Sequence, residues 1–299
     1  RSTSSTSTRG CPRSNRNRRD CGRENRSLRT GGDYITLTTR FTRSSQMATA
    51  AIMQQKNMPV HYSAADYDRY TTAAVSTYDD GIIRRLLQEY RLMGRGQRCL
   101  LDIGTGTARL LLKIAEHPEL QAVELVGTDF FEDMVEQARQ TIQEASLSER
   151  ITIEQSDVHD MPQPDESADL IISRSTIHHW ADPPRAFREI FRLLKRGGVA
   201  IIHEPRRDPA PESLAEFNRL RAEQGIEPAR MDEKFTADEV RQFVVEAGLT
   251  RNALVLTPMK GPGALGMEVR ISKAGWLRRS LVKLVGKIGL SPLKNPWNR

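Results

Sequence analysis

Residues 99–110 read Cys99-Leu100-Leu101-Asp102-Ile103-Gly104-Thr105-Gly106-Thr107-Ala108-Arg109-Leu110. An apolar run ends in an acid, a Gly-x-Gly turn follows, and residues able to form a helix begin at once with Ala108. That order describes a buried strand handing over to a helix through a turn where the backbone must come close to something. Glycine suits the turn because a side chain would block the approach, and the helix-start N–H groups then face the crevice as donors. Such a strand–turn–helix is the grammar of a nucleotide-type cofactor site at the carboxyl edge of a parallel sheet.

Outward from this stretch, strand and helix signals alternate. Helical spacing over 79–93 (Ile82, Leu86, Leu87, Tyr90) leads into the strand at 98–103. A helix near 107–118 precedes a strand near 122–128, and a helix at 131–146 precedes a strand at 151–156. A strand at 168–173 is followed by a helix at 183–194, a stop-and-turn signal at Lys195-Arg196-Gly197-Gly198, and a strand at Val199–His203. This alternation predicts an α/β protein with a Rossmann-like, doubly wound, mostly parallel sheet of seven strands. After a helix at 236–247, the runs Ala253–Leu256 and Met267–Ile271 are joined by a link too short for a helical crossover. The final strand is therefore expected to be antiparallel.

The chain has 299 residues and a formal charge of +7. Residues 1–46 carry 11 Arg against 3 acids, and residues 270–299 carry 8 basic residues and no acid. The body between them holds 26 basic against 35 acidic residues, a charge of −9. A body of that sign is poorly suited to tracking a phosphate backbone, so no nucleic-acid partner is expected. Three cysteines (Cys11, Cys21, Cys99) without Cys-x-x-Cys spacing indicate neither a zinc site nor a disulfide framework. Cys99 reads as a buried strand residue, and no apolar run approaches the length of a membrane span. A reducing, cytoplasmic setting is the expectation.

Two cofactors compete for the glycine turn. A dinucleotide fingerprint wants Gly-x-Gly-x-x-Gly or Ala, and Arg109 breaks it at the sixth position. The chain resembles instead the class I S-adenosylmethionine-dependent methyltransferases of the small-molecule type, similar to the quinone-biosynthesis group, over roughly Tyr62 to Ile271. Four ordered motifs carry the resemblance. They are Leu101–Ala108, with Ala108 where a third glycine is common; Val126–Met134; Gln155–Pro162; and Arg188–Gly198, with Arg196 where proline is usual.

The resemblance implies S-adenosyl-L-methionine as cofactor and a role for each matching residue. The turn Gly104-Thr105-Gly106 would let backbone N–H groups and the helix start meet the methionine carboxylate, and Asp102 would help anchor its amino group. Asp129 would accept both ribose hydroxyls, and Phe130 would offer a face or edge to the adenine. Asp157 would accept from the adenine amine while the Val158 N–H donates to the ring. Met134 and Ser173 complete the implied set. Bland readings stand beside these: Asp129 as a helix cap and Phe130 as core.

On the acceptor side, the segment after the fourth strand reads Ser173-Arg174-Ser175-Thr176-Ile177-His178-His179-Trp180. It lacks the Asn/Asp-Pro-Pro-Tyr/Phe of exocyclic-amine methylation. His178 and His203 are the candidates for a general base toward an oxygen, carbon or nitrogen acceptor. His178 and His179 also fit a packing role, while His203 and Glu204 mark the fifth strand's carboxyl edge. The expected activity is methyl transfer to an oxygen, carbon or nitrogen of a small molecule, a lipid-soluble one included. The alternatives are a non-catalytic S-adenosylmethionine-binding protein and an NAD-dependent dehydrogenase.

The expected organisation has five parts. Residues 1–46 are an Arg/Ser/Thr-rich leader unable to bury enough surface to order itself. Its composition is also that of a transit segment, but the apolar face of a targeting helix is missing. Met47-Ala48-Thr49-Ala50-Ala51 reads as a more natural beginning. Residues 47–97 form a helical lid segment in which Tyr62, Tyr67 and Tyr70 either cover the cofactor or simply pack. Residues 98–272 form the methyltransferase domain, with 205–232 as an insertion over the acceptor. Residues 273–299 are a basic amphipathic tail whose 274–290 stretch either touches an anionic membrane or packs on the domain.

Overall fold

The computed structural model describes residues 76–93, 98–223, 225–257 and 262–273. The expectations for residues 1–46, for Tyr62, Tyr67 and Tyr70, and for the tail at 274–299 lie outside the described residues.

Thirteen principal elements follow one another among these residues: α1 (Ser76–Leu92), β1 (Arg98–Ile103), α2 (Arg109–Glu116), β2 (Val123–Asp129), α3 (Glu132–Glu144), β3 (Ile151–Gln155), β4 (Ala168–Arg174), α4 (Pro183–Leu193), β5 (Leu194–Pro205), α5 (Pro211–Ala222), α6 (Ala237–Glu246), β6 (Ala253–Leu256) and β7 (Gly266–Ser272). The sheet order is β3-β2-β1-β4-β5-β7-β6. β1 to β5 pair in parallel, and β7 lies antiparallel to both β5 and β6. The doubly wound sheet with an antiparallel last strand is thus the architecture of the molecule. Its order reverses at β1, between β2 and β4, and the carboxyl ends of strands at such a reversal open a crevice for ligands.

Alternation along each buried strand divides the core into two apolar layers. Leu101, Ile103, Ile171, Ala200 and Ile202 pack against α4 and α6 through Phe187, Ile190, Val240 and Val244. Leu100, Leu125, Leu170, Ile172, Val199 and Ile201 pack against α1, α2 and α3 through Ile82, Leu86, Leu111, Ile114 and Val135. The alternation also distributes the chemistry. Asp102 and His203 share the α1 side of the sheet, and Ser173 and Glu204 share the α4/α6 side.

Ion pairs as well as apolar contacts fix α1. Arg85 Nε lies 3.3 Å from Glu268, Arg270 bridges Glu268 and Glu89, and Asp79 accepts from Lys113 at 3.0 Å and faces Arg174 at 3.3 Å. Glu89, Asp79 and Glu268 are all buried. Removing one partner would strand an uncompensated charge, so the network ties the helix to one position over β7 and β4.

Three details differ from the sequence reading. α5 forms inside 205–232, the insertion to which that reading assigns no helix; Pro211 opens the helix and none of its residues is buried. The run Lys195–Gly198 is part of β5, which starts at Leu194 beside Ala168 and shifts register before Val199 pairs with Leu170. Gly197 takes φ +83° there, and its N–H donates to Lys273 O at 2.7 Å. α2 begins at Arg109 because Ala108 is its left-handed N-cap, at φ +65°.

Candidate functional site

The turn between β1 and α2 alternates through the left-handed region, with Gly104 at φ +70°, Gly106 at +56° and Ala108 at +65°. A Cβ on Gly104 would collide with Thr176 Cγ2, so glycine is required there by space as well as by φ. The turn's donors are engaged within the protein. Gly104 N and Thr105 N both donate to Thr128 O, at 2.8 and 2.9 Å. Gly106 N donates to Asp129 Oδ2 at 2.8 Å. In this geometry these three N–H groups brace the turn against the end of β2.

Asp129 is held on both oxygens. Gly106 N–H reaches Oδ2, and Phe131 N–H reaches Oδ1 at 3.1 Å. Burial raises its pKa, and backbone donors from Phe131, Gly106 and Phe130 work against that rise. A carboxylate has about four acceptor positions, so with these donors in place it keeps capacity for a ligand hydroxyl. Phe130 is partly exposed, meets Phe131 edge-on at 5.4 Å, and has its carbonyl held by Gln155 Nε2. Met134 is buried in α3 yet belongs to neither of the two large apolar layers.

Asp102 is buried at the end of β1 and accepts from Thr105 Oγ1 at 2.9 Å. Desolvation pushes its pKa up to about 7, while the Thr105 bond and the Arg174 charge pull it down. A carboxylate in that state favours a cationic visitor, because an ammonium group would restore the ionised form.

After β3, Asp157 and Val158 stand next to a residue that sequence reasoning passed over. His159 is buried; its Nδ1 lies 2.5 Å from Asp157 Oδ1, and its backbone N–H donates to the same oxygen at 2.9 Å. Asp182 N donates to His159 Nε2 at 3.1 Å, which makes Nδ1 the protonated nitrogen. Asp182 also caps α4 by accepting from Arg185 N at 3.0 Å. Burial raises the Asp157 pKa, but the His159 bonds outweigh it and the net shift is downward. Val158 is buried in the α4/α6 layer.

Ser173 is fully buried; its hydroxyl donates to Ile103 O at 2.6 Å and lies 2.6 Å from Thr176 Oγ1. It ties β4 to β1 and seats Thr176 over Gly104, which supports the turn.

The two candidate bases have different surroundings. His203 is buried on the α1 side, with Gly266 so close that a Cβ there would lie 2.8 Å from the imidazole. Desolvation, joined by Arg174 and opposed by Glu204, lowers its pKa to about 4. An imidazole held there is a weak base at neutral pH. His178 sits in a short 3-10 turn, Ile177–His179, rather than in helix packing. Its Nδ1 lies 2.5 Å from Glu204 Oε1 and its Nε2 lies 2.7 Å from Lys234 Nζ. Glu204 is fully buried and also accepts from Ile177 N at 3.0 Å. No local pattern marks Lys234, which meets His178 across 56 residues.

The crevice at the β1/β2/β4 edge thus offers a buried acid near pKa 7, a second acid with two oxygens fixed for a diol, an aromatic edge, and a third acid set by a histidine. That donor and acceptor set fits the amino, ribose and adenine groups of S-adenosylmethionine.

The chain matches a family described as a methyltransferase domain over residues 97–248. It is 31% identical over 142 residues to an uncharacterized methyltransferase, YcgJ, of Bacillus subtilis, covering 46% of this chain and 54% of that one. It is 33% identical over 105 residues to the ubiquinone/menaquinone biosynthesis C-methyltransferase UbiE of Geotalea daltonii, covering 35% and 44%. The chain spans about half the length of these curated relatives. The fold is shared with a SAM-dependent methyltransferase from Aquifex aeolicus, with a TM-score of 0.54 and 18% identity over 71% of this chain and 98% of that one. The family match runs from the residue before β1 to just past α6, about half of the sequence, and on it this chain belongs to the methyltransferase-domain family.

Proposed function

We propose that this protein transfers a methyl group from S-adenosylmethionine to a small-molecule acceptor. The tie between Gly106 N–H and Asp129, 2.8 Å long, carries the reading, because it couples the glycine turn to an acid whose remaining lone pairs suit a ribose diol. When bound, S-adenosylmethionine supplies an electrophilic methyl carbon on a positively charged sulfur. The chain's own residues then have these roles: Asp102 receives the ammonium, Asp129 the ribose hydroxyls, and Phe130 and Met134 flank the base. Asp157, held through Oδ1 by His159, presents Oδ2 to the adenine amine, and Val158 N–H donates to the ring. Alignment can supply about 7–11 kcal/mol of barrier reduction, so a good nucleophile needs little acid–base help.

The family and the named UbiE relative support a small acceptor, and we extend this to a lipid-soluble aromatic one. We assign catalysis to residues 98–272, with 205–232 covering the acceptor. Among the described residues no helix is long and apolar enough to cross a membrane. Titration calorimetry with S-adenosylmethionine and NAD side by side tests the reading. Saturable binding of S-adenosylmethionine alone is the expected result, and binding of NAD alone would replace it with a dehydrogenase.

A further inference from the structure

Behind the carboxyl edge of β4 and β5 a chain of three polar side chains runs outward from the core. Glu204 is fully buried at the end of β5, His178 is buried in the turn after β4, and Lys234 belongs to the segment between α5 and α6. Glu204 Oε2 is fixed by Ile177 N–H, which leaves Oε1 to receive His178 Nδ1–H. With Nδ1 donating, His178 Nε2 presents its lone pair to the Lys234 ammonium. His178, the middle of this chain, stands two residues from Thr176, the side chain that fills the space over Gly104. Its tail lies among apolar groups. Lys234 N–H donates to Met231 O, Met231 packs with Leu214, Phe217 and Leu265, and Phe235 packs on the α4/α6 layer.

An ammonium bound to an imidazole, with the apolar side chains of Met231 and Phe235 on either side of it in sequence, suits a ligand with an apolar body and one ionisable oxygen. We propose that Lys234 contacts the ionising hydroxyl of the methyl acceptor, and that His178, backed by Glu204, takes up the proton which that hydroxyl loses. The assignment rests on the methyl-transfer reading above. In the step, the acceptor's oxygen, or a carbon conjugated to it, forms the new bond to the methyl carbon. The carbon–sulfur bond breaks with its electron pair passing to sulfur. The hydroxyl proton goes to Lys234 as Lys234 passes one of its own to His178 Nε2, and Glu204 balances the imidazolium. The charged groups that act on Lys234 are Glu204 from β5 and Arg230, Asp232 and Glu233 from its own segment; burial lowers its pKa, which eases the hand-over. Lys234 is the residue that touches the acceptor in this scheme, His178 receives the proton that Lys234 relays, and Glu204 positions His178.

The test uses the full chain loaded with S-adenosylhomocysteine and 4-nitrophenol as probe, since the phenolate absorbs visible light. Bound 4-nitrophenol is expected to ionise about one pH unit or more below its free value, a tenfold change in the ionisation equilibrium. Lys234→Met removes the shift, Lys234→Arg recovers part of it, and Glu204→Gln moves the midpoint back toward the free phenol. A purely structural role for these residues would leave the midpoint alone. An equal shift in wild type and Lys234→Met, or no shift in wild type, overturns the assignment. Calorimetry with S-adenosylhomocysteine separates the two readings. Intact binding without a phenol shift removes Lys234 alone, whereas no binding by wild type removes the methyl-transfer reading and Lys234 with it.

Discussion

The amide of Gly106 donates to Asp129 Oδ2 at 2.8 Å, so the glycine turn and the acid that ends β2 form one unit. Asp129→Ala leaves the buried N–H groups of Gly106 and Phe131 without an acceptor, at about 1–3 kcal/mol each. We expect a stability loss of about 2–4 kcal/mol in urea with an unchanged slope. Affinity for S-adenosylhomocysteine should fall about 100-fold or more, as two bonds to a charged group are lost. Binding within threefold of wild type would show that Asp129 only caps α3.

Ala108 occupies a left-handed conformation that favours glycine. Its φ of +65° costs about 1–2 kcal/mol. Its buried methyl returns about 0.8 kcal/mol, and alanine constrains the unfolded chain more than glycine by about 0.5–1 kcal/mol. The opposing contributions nearly cancel, so Ala108→Gly should change stability by less than about 1 kcal/mol. Ala108→Val has no such balance, because a β-branched residue at this φ is a severe outlier. We expect it to lower stability by about 2 kcal/mol or more, read from the urea midpoint. Equal midpoints for the two variants would mean that the turn relaxes out of the left-handed region.

His159 joins Asp157 to the N-terminus of α4. Its Nδ1 holds Asp157 Oδ1 and its Nε2 accepts from Asp182 N–H. His159→Ala should therefore weaken S-adenosylhomocysteine binding about tenfold and cost about 1–2 kcal/mol of stability. It should also let the Asp157 pKa rise from its lowered value. Carbon-detected NMR titration of the Asp157 carboxyl reads that rise directly. An unmoved Asp157 titration would detach His159 from the site.

How much of this could be read from the chain follows from the range of the interactions. The β1–turn–α2 unit was legible because its signals lie within 12 residues and each has a local physical reason. β6 and β7 were legible because their short link allows only an antiparallel pairing. α5 escaped because none of its residues is buried, so no apolar stripe marks its face. The start of β5 escaped because its glycines pair with Lys273, which is far away in sequence. The same limit applies to the site: Asp102, Asp129 and Asp157 lie at or just beyond the carboxyl ends of strands and announce themselves. Lys234 meets His178 only through the folded chain, and the engagement of the turn's N–H groups by Thr128 and Asp129 appears only once β2 is in place.

Asp102 provides the pH dependence. Its carboxyl titrates near 3.8 when unfolded and near 7 when buried in the native chain. Between these values the folded state holds a proton that the unfolded state has released, so stability falls as pH rises. The contribution is full below about pH 4 and gone above about pH 7. At most it amounts to about 4 kcal/mol, from roughly three units at 1.36 kcal/mol each. Asp129 is shifted in the same direction, so the slope due to Asp102 is the difference between wild type and Asp102→Asn. Ligand binding has the opposite sign. An ammonium group at Asp102 favours the ionised carboxylate and expels its proton, so affinity for S-adenosylhomocysteine should rise by up to about tenfold per unit between pH 5 and 7, then level off. Calorimetry at pH 6 in two buffers of different ionisation heat should register release of close to one proton by wild type and almost none by Asp102→Asn. Equal proton release by the two proteins would place the ammonium group elsewhere.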